Sequence, residues 1–202
     1  MIFADIKNIT APADAVEINK NELALRLKTD RDFDVTLLDK CRREFDKTVT
    51  YKCAYIRTAV DTPHEGICDF GFMSVPSRDL YKNLRGCKEA FVLAVTTGIA
   101  VDRMLARLNI VSQAEHFMAD ALSSAAVESF CDYACDIMTR DVSCVPRYSP
   151  GYGDLSISFQ KPLLARLNAC ETLGITLNSA YLMTPVKSIT AIMGIKTPED
   201  KK

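Results

Sequence analysis

The chain has 202 residues, enough for one sizeable domain or one domain with an appended element. Nearly half of the residues are apolar (48%), a quarter are charged (25%), and the two signs almost cancel to a net charge of -1. With no basic excess, composition gives no reason to expect nucleic acid or an anionic lipid surface as a partner.

The first residues, MIFADIKNIT, lack the basic n-region and apolar h-region of a signal peptide, and the most apolar run, Ala90 to Ala100, is far too short to span a bilayer. A cytoplasmic globular protein is the expectation. Its eight cysteines then read as reduced thiols serving as small apolar side chains. Cys131 and Cys135 lie one helical turn apart, but there is no C-x-x-C pair and His64 and His116 are remote in sequence, so no metal site is expected.

In chain order, Val35, Leu38, Cys41 and Phe45 recur at helical spacing and predict a helix from about Asp32 to Lys47. Extended segments follow at Lys52–Val60 and Ile67–Val75. Ser77 reads as the N-cap of a short helix, Arg78–Leu84, with Asp79 in its first turn and Gly86 ending it. The run Ala90–Thr97 is apolar on both sides, which predicts a central strand covered on both faces. Gly98 breaks it, and helices follow at Ala100–Leu108 and, longest in the chain, Gln113–Thr139. Leu155, Ile157 and Phe159 alternate with polar residues and predict a strand. Pro162 opens a further helix that reaches Leu173 with Gly174 after it, and the last strand is Val186–Ile195. The tail from Lys196 to Lys202 reads as frayed. Strands and helices alternate without a strict βαβ rhythm. This predicts an α+β fold, a single mixed domain with a mainly antiparallel central sheet flanked by helices.

Ser149-Pro150-Gly151-Tyr152 carries a type II turn signal, since proline presets position i+1 and glycine accepts the positive φ of i+2. The turn sets Arg147 and Tyr152 close together. An arginine there offers a planar fork for a carboxylate or phosphate, or it is a surface residue at a hairpin corner. On the long helix, Ala114, Met118, Ala121 and Ala125 mark one face, and the stripe runs into Glu128 and then Asp132. A carboxylate on such a face has to be paired, neutralised or turned toward a cavity. Glu128 is thus either the partner of a structural arginine or the acidic wall of a pocket for a cation or a ribose hydroxyl.

Arg147-x-x-x-Gly151-Tyr152 resembles the Arg-x-x-x-Gly-Tyr motif of the activation (reactivation) domain of cobalamin-dependent methionine synthase. Glu128-Ser129-Phe130-Cys131-Asp132-Tyr133 resembles that family's Glu-Ala-Phe-Ala-Glu-Tyr helix segment. Gly174, Leu177, Met183 and Pro185 fall in register with its Gly-x-x-Leu-x-x-Ser-x-x-Met-x-Pro stretch. The match runs from about Ile67 to Ile195. It departs from the family after Tyr152, where Gly153-Asp154-Leu155-Ser156 replaces a Pro-Ala-Cys-Pro run, and in a much shorter connection between the acidic helix and the arginine.

The resemblance implies a freestanding factor that binds S-adenosylmethionine and supports reductive methylation of cob(II)alamin held by a partner. That makes it a methyltransferase component rather than an enzyme acting alone. It implies Arg147 on the ligand's carboxylate, Glu128 on its ammonium or ribose, Gly151 for close backbone approach, Tyr152 beside the ligand, and Asp141 as a second acidic contact. It also implies a partner: methionine synthase lacking its own activation domain, or another corrinoid protein. Flavodoxin or a similar protein would donate the electron. The chain has no corrinoid-binding Asp-x-His-x-x-Gly motif of its own. Residues 61–195 would form the ligand-binding domain, 1–60 a region poorly matched to the family, and 196–202 a charged tail. The rival readings are a non-catalytic S-adenosylmethionine sensor, a reactivation factor for another corrinoid methyltransferase, and a relative that has kept the fold and lost the site.

Overall fold

The computed structural model describes residues 6–28 and 34–196. Its centre is a four-stranded sheet formed by β1 (Lys7–Ala11), β2 (Tyr51–Ala59), β5 (Glu89–Thr96) and β8 (Ser188–Ile195), in that spatial order and antiparallel throughout. β5 sits in the interior of this sheet and every residue from Ala90 to Thr96 is buried. That matches a run without polar alternation, because both of its faces are covered.

One face carries α1 (Lys20–Leu27), α2 (Val35–Thr48), α4 (Ile99–Val111) and the 26-residue α5 (Gln113–Met138). They pack with Tyr51, Cys53, Phe91, Leu93, Val95, Ala191 and Met193 into one core. Phe130 of α5 stacks on Tyr51 of β2 with ring centroids 4.7 Å apart. The opposite face carries a hairpin of β3 (Ile67–Asp69) and β4 (Ser74–Pro76), then α3 (Arg78–Asn83), α6 (Gln160–Arg166) and α7 (Ala169–Leu173). Those elements form a second core with Ala54, Ile56, Ala90, Val92, Ala94 and Ile192. A short ladder, β6 (Thr176–Leu177) with β7 (Met183–Thr184), leads the chain back into β8. The first 60 residues thus supply β1, β2, α1 and α2 to the sheet and helical layer that the rest of the chain completes. The start of the helix predicted from Asp32 lies outside the described residues, as does the tail beyond Lys196.

Three expectations are corrected. Leu155–Phe159 is not a strand: Ser156 accepts the Ser158 N–H through its side chain at 3.3 Å and opens a 3-10 turn, Ile157–Phe159, that runs directly into α6. The relevant spacing is Phe159, Leu163 and Leu167, four apart, which continues through α6 as a stripe facing the second core, with Leu155 buried in that core ahead of the turn. Ile67–Val75 is a hairpin, not one extended run. The Asp69 side chain accepts the Gly71 N–H at 2.7 Å and Gly71 takes φ +77°, which reverses the chain. The helix expected from Pro162 to Leu173 is two helices, α6 and α7, divided at Asn168 in the left-handed region (φ +47°).

Candidate functional site

β8 is an edge strand, and the chain after α5 covers only part of that edge. Tyr148 and Ile192 exchange both backbone hydrogen bonds at 2.8 Å, Val145 N–H donates to Gly194 O, and Lys196 N–H donates to Ser143 O. Past Tyr148 the chain turns away. The turn at Ser149–Tyr152 closes with a Tyr152 N–H to Ser149 O bond of 3.2 Å and φ +96° at Gly151, as a type II turn requires. The edge from Ser188 to Thr190 is left facing a cavity of about 680 Å³. Ser124, Val127 and Glu128 of α5 wall it on one face of the sheet, and Gln160 of α6 walls it on the other. Arg147 and the residues up to Tyr152 form its roof, and Arg26, Met183 and Lys187 complete the lining.

The turn is held in place from below. The Asp154 carboxylate accepts the Ser77 hydroxyl at 2.5 Å and the backbone N–H groups of Arg78 and Asp79 at 2.8 and 3.3 Å, which moors the loop to the start of α3. The hydrogen bond from Ser77, opposed by slight burial and aided by the two amides, lowers the carboxyl below its ordinary pKa. Tyr148 Oη donates to Tyr152 O at 3.3 Å across the same loop. Gly153 sits at φ +52° where a Cβ would lie 2.3 Å from Tyr148 Oη. This explains why Gly-Asp stands directly after the tyrosine.

Arg147 is the electrostatic centre. Its Nη2 donates to Glu128 Oε2 at 2.9 Å and its Nη1 to Asp132 Oδ1, so these two acids of the long helix, one turn apart, both face it. Arg26 of α1 approaches the other Glu128 oxygen at 3.7 Å and pairs with Glu22 at 2.8 Å. Burial works against the Arg147 charge, yet Cys131, Asp132 and Cys135 around it raise its pKa further above the ordinary value. At the other end of the α5 wall, Lys187 Nζ pairs with Asp120 at 2.7 Å and donates to Ser124 Oγ at 2.8 Å.

Arg147, Glu128 and Tyr152 therefore line one cavity, with Gly151 in the turn between lining residues. Tyr152 is 67% exposed and lines the same cavity as exposed Val186, which stands just before β8. Asp141 stands apart: it is exposed, follows the C-terminal end of α5, and precedes the segment that pairs with the far end of β8. Arg26, Lys187 and Gln160 line the cavity without having been singled out in sequence. The one signal for Arg26 was Asn19 followed three residues on by Glu22. The Asn19 side chain caps α1 by accepting the Asn21 and Glu22 N–H groups at 2.9 and 3.3 Å. Among the described residues, no group of three or more His, Cys, Asp or Glu side chains is placed to hold a metal ion.

No protein-family model matches the chain, and no curated protein matches it either. Among solved structures, the crystal structure of the MetH reactivation domain bound to AdoHcy matches with a TM-score of 0.69, over 96% of this chain and 79% of that one, at 12% sequence identity. The fold is that of the MetH reactivation domain. The reactivation-domain architecture accounts for the four-stranded antiparallel sheet and the helices on both of its faces. Among the described residues, no helix is long and apolar enough to cross a membrane.

Proposed function

We propose that the chain is an S-adenosylmethionine-binding reactivation module that acts on a corrinoid carried by a methionine synthase or another corrinoid protein. The observation that carries this reading is the meeting of Arg147, in the roof of a 680 Å³ cavity, with Glu128 on its α5 wall. The cavity lies within the roughly 300–1,000 Å³ usual for small-molecule sites. The fold is shared with a solved reactivation domain bound to AdoHcy, which supports the same reading.

The residues suit the ligand. Arg147 presents a fork to its carboxylate, in exchange for part of the pairing with Asp132 and Glu128. Glu128, released from that pairing, takes the ammonium group or a ribose hydroxyl. Gly151 takes the positive φ that the turn over the cavity requires, which keeps its neighbours Pro150 and Tyr152 on the lining. Bound there, S-adenosylmethionine supplies an electrophilic methyl group. The chain's own share is to hold the sulfonium end still and aimed at the mouth, where Tyr152 is exposed, so that most of the benefit is proximity and orientation. The partner's cobalt, once reduced by an external one-electron donor, would accept the methyl, with the thioether as the other product. No proton moves, so no general base is required.

The test is transfer of the labelled methyl of S-adenosylmethionine to cob(II)alamin on a methionine synthase lacking its activation domain, with a one-electron donor present. Label should reach the partner's cobalamin only when this chain is added. Ligand binding without any transfer to the partner would overturn the reactivation role and favour the sensor.

A further inference from the structure

Arg147 also meets a part of α5 that the proposed function leaves unused. Its guanidinium lies over Glu128 and Asp132. Positions 128, 131, 132 and 135 follow the spacing i, i+3, i+4 and i+7, so Cys131 and Cys135 stand on the same helix face as those two acids. The Cys131 thiol donates to the Cys135 sulfur, and Arg147 donates to that sulfur as well. Access separates the pair: Cys131 is fully buried, whereas Cys135 is half-buried.

The titratable and charged groups around Cys135 are Cys131 and Asp132 on its own helix, Arg147, Cys53 of β2, and Cys144 in the segment that pairs with β8. Cys131 and Arg147 favour its thiolate, and Asp132 opposes it. Cys53 and Cys144 stay as thiols, because burial pushes both up, Cys53 to about 12. A thiolate beside a cation, open in part to solvent and touching a second thiol, has the attributes of an oxidisable pair.

We infer that Cys135 and Cys131 form a peroxide-reactive dithiol built onto Arg147, and that the Cys135 sulfur and a ligand carboxylate share that guanidinium. The sharing rests on the ligand reading proposed above; the dithiol does not. The Cys135 thiolate attacks one peroxide oxygen and the O–O bond breaks, which leaves a sulfenic acid and releases hydroxide. The Cys131 proton turns that hydroxide into water. The Cys131 sulfur then attacks the sulfenic sulfur, the S–O bond breaks, and the second hydroxide takes up the proton that Cys135 gave up on ionising. Two thiols and one peroxide become one disulfide and two waters. Residues four apart on a helix lie about 6 Å apart at Cα, inside the range of about 4.4–6.8 Å that disulfides span. Their Cβ atoms, about 5–6 Å apart, must close to about 4 Å. Cys135 lies in the last turn of α5, where its carbonyl accepts the Thr139 N–H and hydroxyl at 2.9 Å, so only the end of the helix has to move.

The test treats the reduced, ligand-free chain with hydrogen peroxide at pH 7, alkylates the remaining thiols and follows the tryptic peptides by mass spectrometry. Residues 108–140 form one peptide that carries Cys131, Cys135 and no other cysteine. It should lose two hydrogens before exposed Cys170 is oxidised, and regain them with dithiothreitol. Arg147→Ala should slow the loss at least about threefold, since the thiolate fraction falls when the cation is removed. In Cys131→Ala the reaction should stop at a sulfenic acid on Cys135 that a 1,3-dione captures. Saturating S-adenosylhomocysteine should slow the wild-type reaction, because its carboxylate takes Arg147 from the sulfur. Earlier oxidation of Cys170, or an unchanged rate in Arg147→Ala, overturns the dithiol. S-adenosylhomocysteine that binds without slowing the reaction overturns the sharing. A chain that binds no S-adenosylhomocysteine loses the ligand reading and the sharing together, while the ligand-free rates decide the dithiol by themselves.

Discussion

Arg147→Ala separates a structural arginine from a ligand-holding one. The side chain is 28% exposed and joins Glu128, 31% exposed, at 2.9 Å and Asp132, 58% exposed. Pairs this open to solvent are worth about 0–1 kcal/mol each, so removing both should cost only about 1 kcal/mol of stability. For a domain of this size that is a fall in Tm of about 2–4 °C. Glu128 keeps Arg26 at 3.7 Å, which limits the penalty further. Ligand binding should suffer far more, because a charge-assisted contact to the carboxylate is worth about 1.5–3 kcal/mol, or about 10- to 150-fold in Kd. Paired thermal melts and calorimetric titrations with S-adenosylhomocysteine read the two effects separately. A Kd within about threefold of wild type, alongside the small fall in Tm, would show that Arg147 only braces the long helix and would refute its place in the site.

Other consequences concern the roof, the thiols and the long helix. Gly153→Ala places a Cβ at φ +52° and 2.3 Å from Tyr148 Oη. It should cost about 1–2 kcal/mol from the left-handed backbone alone, and an unchanged Tm would contradict that geometry. Asp154 has a folded pKa below its ordinary value, so its stabilisation is complete above about pH 4 and is lost as pH falls through the lower folded value. Intrinsic-rate-corrected exchange of the Arg78 and Asp79 amides should accelerate in Asp154→Ala at neutral pH and in the wild type only in acid. Protection that survives the substitution would exclude Asp154 as the mooring. Burial pushes the Cys53 thiol up to about 12 and the Cys68 thiol up to about 11. The hydrogen bond from Cys131, helped by nearby Arg147 against burial, lowers Cys135. Alkylation near pH 8, followed by mass spectrometry, should therefore modify Cys135 before Cys53 and Cys68, and the reverse order would contradict this. Phe130→Ala removes a fully buried ring stacked on Tyr51 and should cost about 3–5 kcal/mol. A loss well below that range would show that the junction of α5 and β2 can repack.

Three of the four strands of the sheet and the two longest helices were legible because their signals are local, whereas β1, five residues long and exposed or half-buried throughout, was not. Ala90–Thr97 has no polar alternation to place one face in water, and the span of α5 follows from one unbroken run between Ser112 and the turn after Met138. Where the reading failed, two periods competed over few residues. Leu155, Ile157 and Phe159 satisfy period two, while Phe159, Leu163 and Leu167 satisfy the helical period that tertiary packing selects. The half of the site that was legible is the half that depends on a turn: Pro150-Gly151 forces Arg147 and Tyr152 to share a roof. The other half depends on where distant elements meet. No local pattern places Arg26 beside Glu128, 102 positions later in the sequence, or Gln160 across a strand edge from both.

The account stands most directly on whether this cavity takes S-adenosylmethionine. Calorimetric titration of S-adenosylmethionine into the purified chain, with S-adenosylhomocysteine and ATP as comparisons, measures it without any partner. One-site saturable binding of the first two compounds, with ATP silent, is the result expected of a cavity that pairs an arginine in its roof with an acid on its wall. Binding of ATP with equal strength, or heats no greater than dilution for all three, would contradict the account.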